Sequence, residues 1–281
     1  MGKTKALSNI EDERREGLDY IEISGHKVDM LKLGESTKYL GRALSFESLH
    51  DTEIQHRINC GWSKFHVFKK ELCCKHYPLH DRLRLFEATV TPCVLYGCGT
   101  WTMTKDRERA LRVAHRRMLR KIVQVGRRRK LDHESSTSDS ESSDTGGAST
   151  KSDDLEDWVE WIKRATWAAE GAAKKARVKD WVEEQARRKF QWAGHVARRN
   201  DGRWNERLVH WWPNGSRRRG HPKRKWSDVL DAFFHHQLQA SQGEWILYTG
   251  DRASWAALGD TFVKFSSKWI GQTEVSEYIG F

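Results

Sequence analysis

Short apolar runs separated by turn residues open the sequence, a pattern typical of strands rather than helices. The run Tyr20–Ile23 is followed by a polar, glycine-containing turn over 24–27 and by a second apolar run over 28–33. Turn chemistry between two short apolar runs predicts an antiparallel hairpin. A further polar break over 34–36 leads into residues 37–41, which we interpret as a third strand.

From residue 54 onward, apolar residues recur every three or four positions, the spacing of one face of an α-helix. The first stripe runs from Ile54 to Leu72, with Asp51 as the expected N-cap and Pro78 beyond its end. Two more helices are expected, over 79–90 and over about 106–125. Opposite its apolar face, the third carries basic side chains, namely Arg107, Arg109, Arg112, Arg116, Arg117, Arg120 and Lys121.

Composition changes abruptly after Gly126. A basic run gives way to Ser, Thr, Asp and Gly through Asp154, and such a segment cannot bury enough apolar surface to offset the entropy of ordering it. Helical spacing then resumes in a tryptophan-rich region from about Leu155, and another helix is expected near Ser227. The sequence thus predicts three parts, 1–126, a disordered linker over 127–154, and 155–281. The expected fold is mainly α with a small N-terminal antiparallel β-hairpin.

The charge balance points to a polyanionic partner. The 281 residues include 50 Lys and Arg against 39 Asp and Glu, a formal net charge of +11. Nucleic acid is favoured over a membrane, because no apolar run is long enough to span a bilayer. The N-terminus has no apolar core of a secretory signal, so we expect a nuclear or cytoplasmic protein that is not secreted. The sequence has five cysteines, an odd number, and in such a compartment they are expected to be reduced thiols.

No metal or catalytic motif stands out. Cys73, Cys74, His76 and His80 lack the paired spacing of zinc ligands, and so do Cys93 and Cys98. No Ser/His/Asp arrangement or phosphate loop is evident. The sequence therefore predicts no metal site and no catalytic residue.

Several short segments follow one another in a specific order. Before the predicted linker they are Lys3-Thr4-Lys5, Ile23-Ser24-Gly25, Lys38-Tyr39-Leu40-Gly41, Pro92-Cys93-Val94-Leu95-Tyr96-Gly97 with Thr100-Trp101, and Arg116-Arg117-Met118-Leu119-Arg120-Lys121-Ile122. After it they are Trp192-Ala193-Gly194-His195-Val196-Ala197-Arg198 and Arg217-Arg218-Arg219-Gly220-His221-Pro222-Lys223-Arg224-Lys225-Trp226, with Asp228 following. In this order they resemble the region downstream of the active site in reverse transcriptases of non-LTR (LINE-type) retrotransposons. His221 and Gly99 depart from the family's usual Arg and Glu, and the linker is an insertion.

The resemblance implies a domain arrangement, and it shows which catalytic residues of a reverse transcriptase the sequence lacks. Residues 1–126 would be the end of a palm plus thumb-like helices, and 155–281 a C-terminal helical basic module. Reverse transcriptases use two metal ions held by palm aspartates, including a Tyr-X-Asp-Asp turn. The only Asp-Asp pair here is Asp153-Asp154, within the acidic linker. The chain is thus expected to be a truncated element with no cofactor of its own, since the magnesium would belong to the missing palm.

Three sets of residues are candidates for nucleic-acid binding. By resemblance, Lys38, Tyr39 and Gly41 would support the primer end, although the same residues fit an ordinary strand end. The basic side chains Arg112, Arg116, Arg117 and Arg120 would follow the phosphates of a duplex, unless they form a solvated helix face. The basic tract, defined as Arg217, Arg218, Arg219, Lys223, Arg224 and Lys225, has tryptophans nearby for stacking on unpaired bases, and its composition also fits a nuclear-localisation tract.

These observations favour a truncated, reverse-transcriptase-derived protein that binds an RNA or DNA template-primer. One alternative is part of an active RNA-directed DNA polymerase, completed by a palm supplied in trans or in a longer product. The other is a basic nucleic-acid-binding or scaffold protein unrelated to mobile elements.

Overall fold

The computed structural model describes residues 4–6, 20–32, 35–45, 48–129, 155–199, 204 and 224–271. Within them the chain is mainly helical with small sheets near the N-terminus, which confirms the predicted fold class. The strands are β1 (Lys5–Ala6), β2 (Tyr20–Ile23), β3 (His26–Met30), β4 (Thr37–Tyr39) and β5 (Arg42–Leu44). The helices are α1 (Leu49–Val67), α2 (Lys69–Cys73), α3 (Leu79–Val94), α4 (Lys105–Val123), α5 (Trp158–Lys175), α6 (Trp181–Ala197), α7 (Asp228–Leu238), α8 (Arg252–Ala257) and α9 (Gly259–Gly271).

The N-terminal strands form two separate sheets. Strands β2 and β3 make the predicted antiparallel hairpin, with Ile23 opposite His26, and β1 pairs with β3 in parallel. The single strand predicted over 37–41 is instead half of a second hairpin, because the chain reverses at Leu40 and Gly41. Both residues have positive φ, 47° and 79°, as the tightest hairpin turn requires.

The long apolar stripe predicted from Ile54 to Leu72 is divided between α1 and α2 at Phe68. The expected N-cap was wrong: Ser48 occupies that position, and Asp51 lies inside the first turn of α1. Asp51 accepts hydrogen bonds from both Nε and Nη2 of Arg107, each at 2.7 Å, so its carboxylate connects α1 to the start of α4.

One apolar core contains side chains from helices α1, α2, α3, α4 and α5, from the start of α6 and from the end of α9. It contains Phe65, Phe86, Trp101 and Met118 from the first part of the chain and Trp181 from the second. The Trp181 indole donates a hydrogen bond to Thr91 Oγ1 at 3.1 Å. The division at the linker stays a prediction, but described residues on both sides of it share this core.

A second core packs α6 against α7, α8 and α9 and the 3-10 turn Glu244–Thr249. Aromatic residues dominate it, notably Phe190, Phe233, Trp245, Trp255 and Phe262. Trp255 stacks on Phe190 with 4.1 Å between ring centroids, and its indole donates to the Phe190 carbonyl. Much of 232–271, which follows the last segment of the family resemblance, therefore belongs to this core.

The segment 130–154, which includes most of the predicted linker, lies outside the described residues. The described residues that flank it lie side by side, because Arg129 and Leu155 form an antiparallel bridge and Glu156 N donates to Arg128 O at 2.9 Å. The insertion thus leaves and rejoins the helical structure at one place. In the part of the chain that is described, no helix has the length and apolarity needed to cross a membrane.

Candidate nucleic-acid interface

The hairpin of β4 and β5 is attached to α1 through a buried carboxylate. Glu53 is fully buried and accepts hydrogen bonds from Ala43 N at 2.6 Å and from Arg57 Nε at 2.8 Å. Arg57 in turn donates to the carbonyl of Gly41 at the tip of the turn. The backbone of Lys38-Tyr39-Leu40-Gly41 is therefore held in place by α1.

A second contact joins this hairpin to the end of α3. The Tyr96 hydroxyl donates a hydrogen bond to Leu40 O at 3.2 Å, and the Tyr96 ring lies 4.5 Å from the Arg57 guanidinium. Two of the segments that carry the family resemblance, 38–41 and 92–97, thus meet in space. Gly41 is explained by its positive φ and by the Tyr96 ring beside it, independently of any ligand.

The outer side of the hairpin turn is open to solvent. Lys38 is exposed, Tyr39 is 63% exposed and Leu40 is 76% exposed. A cation next to two exposed apolar side chains on a rigid turn can contact both a phosphate and a base. The support of a primer end that the resemblance implies for Lys38 and Tyr39 stays a prediction.

The predicted basic face of α4 consists of two stripes with different partners. On the first, Arg112 donates to Ser267 Oγ of α9 at 3.1 Å, and Arg116 binds Glu170 of α5 at 2.6 Å. Arg120 on the same stripe donates to Thr166 Oγ1 of α5 at 2.9 Å. Burial lowers the pKa of Arg120, and the neighbouring charges of Arg116 and Arg117 lower it further. This stripe packs α5 and α9 onto α4.

The second stripe of α4 faces solvent. It consists of exposed residues at steps of four, which we call the outer stripe: Lys105, Arg109, Val113, Arg117 and Lys121. A helix rises 1.5 Å per residue, so the four steps extend over about 24 Å. Among the described residues none of its cations has an acidic partner within 4.0 Å. Like charges at this spacing repel one another, and an anionic ligand would relieve that repulsion.

An aromatic ring and a further cation lie beside the outer stripe. The guanidinium of Arg117 is 5.7 Å from the Trp62 ring of α1. Burial raises the pKa of the Cys73 thiol, while the nearby charges of Lys69 and Lys121 lower it. Cys73 Sγ also donates to Lys121 O at 3.5 Å, so α2, which carries the exposed Lys69, packs beside the end of the outer stripe.

Arg82, which the sequence analysis did not single out, fixes the end of this surface. Its buried guanidinium donates to Ile122 O at 2.7 Å and to Leu72 O at 3.4 Å. These carbonyls lie at the C-terminal ends of α4 and α2, where the helix dipoles favour a cation. The sequence does not indicate the roles of Glu53, Arg57 and Arg82, because most of their partners are distant along the chain. The i, i+4 spacing of Glu53 and Arg57 is the one local signal.

Most of the basic tract lies outside the described residues, including Arg217, Arg218, Arg219 and Lys223. Its last part is held by the fold. Arg224 lies over the Trp269 ring at 4.7 Å, and Lys225 N donates to Asp228 Oδ2 at 2.6 Å. The Trp226 indole donates to Gly99 O at 2.8 Å, so the tract ends at a fixed point beside the first core.

No group of three or more potential metal ligands occurs in the described part of the chain. All five cysteines are described and none is in a disulfide. Cys93 Sγ donates within its own helix to Thr89 O, and burial raises the pKa of Cys98 to about 12. A thiol with so high a pKa is a packed structural group rather than a nucleophile.

These features define a mainly helical protein whose described surface presents a solvent-facing basic stripe on α4. The sequence is similar to that of a Caenorhabditis elegans protein described as uncharacterized and transposon-derived. The two are 25% identical over 225 residues, which are 78% of this chain and 68% of that protein. No protein-family model matches the sequence, and no solved structure matches it significantly. The similarity supports a transposon origin for this chain.

Proposed function

We propose that this chain is a nucleic-acid-binding protein derived from a retrotransposon reverse transcriptase, which holds RNA or DNA without polymerising it. The outer stripe of α4 carries the proposal, because it is a row of cations on a well-packed helix and none of them has an acidic partner in the described part of the chain. Trp62 and Lys69 beside it add a stacking surface and a further phosphate contact.

The hairpin tip and the basic tract would extend this interface. Lys38 and Tyr39 are exposed on a turn that α1 holds in place. Arg217, Arg218, Arg219 and Lys223 precede a fixed point at Trp226, so bound nucleic acid near the fold would be within their reach. The sequence contains no Tyr-X-Asp-Asp, and the proposal therefore assigns no catalytic residue and no resident metal.

The proposal is tested by fluorescence anisotropy with labelled single-stranded RNA, single-stranded DNA and an RNA–DNA duplex. We expect the variant Arg109→Gln/Arg117→Gln/Lys121→Gln to bind the preferred ligand at least about tenfold more weakly than the wild type. The matched control, Lys163→Gln/Lys174→Gln/Lys264→Gln, removes as many exposed cations from α5 and α9 and should retain most of the affinity. Equal losses in both variants, or no binding by the wild type at low salt, would overturn the proposal.

A second candidate is that the chain completes a polymerase whose palm comes from elsewhere. Four exposed apolar side chains on the two N-terminal hairpins favour it: Tyr20, Ile23, Tyr39 and Leu40. By resemblance, this is the end at which a palm would join. Primer extension by a separate palm fragment, with and without this chain, tests the idea; stimulation that Ile23→Ser/Leu40→Ser abolishes would support it. Absence of any stimulation would leave binding as the function.

A further inference from the structure

A small pocket lies at the end of the basic tract. It has a volume of about 260 Å³, including its solvent-open part, and lies among Thr102, Met103, α6, the start of α7 and α9. Three basic residues line it: Lys189, Arg224 and Lys225. Much of that volume is open to solvent, and the enclosed part has room for a group of only a few atoms.

Lys189 is the most buried of the three cations. Its side chain projects from α6, is only 3% exposed, and donates to Trp101 O at 3.3 Å. The ammonium also lies 5.2 Å from the Trp226 ring. Burial lowers the pKa of Lys189 to about 7, and the charge of Asp228 opposes that shift only in part. The ammonium thus lacks a full counter-charge.

Arg224 is half-buried and incompletely hydrogen-bonded. Its guanidinium lies over the Trp269 ring, while its Nη1 is buried and has no hydrogen-bond partner among the described residues. A buried guanidinium N–H without an acceptor is energetically costly. This N–H is therefore available to donate to a bound anion.

Three acidic groups face these cations: Asp228 and Glu108 beside Arg224, and Asp231 beside Lys225. Asp228 accepts the backbone hydrogen bond of Lys225, and Glu108 is 3.7 Å from Arg112. Burial raises the pKa of Glu108 to about 7, so this carboxyl is partly protonated near neutral pH. Arg224 and Lys189 therefore face Asp228 and a carboxyl that carries only part of a negative charge.

We propose that this pocket binds a single phosphate group, with Lys189 and Arg224 as its donors. The planar Arg224 fork suits two phosphate oxygens, and Lys189 supplies a second charge in a site with little water. The polar side chains Thr102 and Ser266 on the lining provide hydroxyl groups for the remaining oxygens. A base or sugar exceeds the pocket, so the phosphate would be inorganic or the terminal phosphate of an oligonucleotide.

Nuclear magnetic resonance of the full chain tests this, with the indole N–H signals of Trp226 and Trp269 as reporters. Inorganic phosphate should shift both signals saturably, and sodium chloride at equal ionic strength should not. Arg224→Gln should weaken the response about tenfold or more, whereas Lys264→Gln, on the exposed side of α9, should leave it unchanged. If Arg224→Gln does not fold, Arg224→Lys keeps the charge but loses the fork, and should still bind more weakly than the wild type.

A comparison of a 5′-phosphorylated with a 5′-hydroxyl tetranucleotide distinguishes the two sources of the phosphate, the free ion and the end of a nucleic acid. Shifts of the same signals by the phosphorylated form alone would identify a nucleic-acid end, and shifts by inorganic phosphate alone would identify the free ion. No saturable shift with any phosphate, or the same response in Arg224→Gln, would overturn the proposal. These results do not depend on the outer stripe, because inorganic phosphate needs no nucleic-acid surface.

Discussion

Glu53 and Arg57 pair at 2.8 Å one turn apart on α1, and both side chains are almost fully buried. Glu53 accepts from Ala43 N, and Arg57 donates to Gly41 O, so this one pair holds the turn and the second strand of the β4–β5 hairpin. A buried ion pair of this kind fixes where the hairpin lies, and with it the exposed Lys38 and Tyr39.

Removing the charge of Glu53 should destabilise the protein. Glu53→Gln leaves Arg57 buried without its counter-ion, and breaking a buried pair in this way costs about 3–5 kcal/mol. Urea unfolding should therefore show a clearly lower midpoint. Glu71→Gln, at an exposed position on α2, serves as the control and should change the free energy of unfolding by less than about 0.5 kcal/mol. Equal stability of the two variants would show that the pair does not hold the hairpin.

Two helical glycines should respond oppositely to alanine. A Cβ on Gly194 of α6 would collide with the Trp255 indole, whereas a Cβ on Gly171 of α5 meets nothing within 4 Å. Gly194→Ala should cost about 1–3 kcal/mol through overpacking. Gly171→Ala should stabilise by about 0.5–1 kcal/mol, because alanine favours the helix. Thermal and urea unfolding of both variants measure the contrast, and a tolerated Gly194→Ala would refute the packing around Trp255.

Stability should depend on pH through Glu108. Burial, the largest influence, raises its pKa from 4.5 to about 7, so the folded state holds a proton that the unfolded state releases. The unfolded state therefore binds fewer protons between these pH values, and the contribution of Glu108 to the free energy of unfolding falls as pH rises from 4.5 to 7. The Glu108 carboxyl should lower the free energy of unfolding by the order of 1–2 kcal/mol over this pH range, allowing for solvent screening. The variant Glu108→Gln should lack this decrease. An unchanged pH profile in this variant would contradict the assignment.

Arg116 and Arg117 are adjacent in sequence but should contribute differently. Arg116 binds Glu170, while Arg117 lies on the outer stripe beside Trp62. Arg117→Gln should weaken nucleic-acid binding several-fold without loss of stability. Arg116→Gln should have a smaller effect on binding and remove only a half-exposed ion pair, worth about 0–1 kcal/mol. Anisotropy and urea unfolding of the two variants test this, and the reverse ranking in binding would mean that the stripes are assigned wrongly.

The elements that sequence periodicity predicts best are those with a strong local signal. The β2–β3 hairpin and helices α3 and α4 were found because apolar spacing and turn residues act locally. The break at Phe68 and the second hairpin were missed. The hairpin turn at Leu40-Gly41 lacks the usual Asn-Gly signal, and it is held by Glu53, Arg57 and Tyr96 from other elements.

The candidate interface was predictable in kind but not in detail. The sequence shows that α4 is rich in arginine, yet it cannot show that α5 packs over Arg116 and Arg120 and leaves Arg117 exposed. That distinction depends on a helix that follows the insertion. Similarly, Arg224 and Lys189 are 35 residues apart, and only the packing of α6, α7 and α9 brings them to one pocket.

The salt dependence of nucleic-acid binding tests the central claim most directly. Each phosphate contact contributes about −0.7 to −0.9 to the slope of log affinity against log salt. We predict a steep slope for the wild type and a slope shallower by about 2–3 for Arg109→Gln/Arg117→Gln/Lys121→Gln, with no change for the control lacking Lys163, Lys174 and Lys264. Identical slopes for the wild type and the outer-stripe variant would contradict the claim that α4 contacts the phosphates.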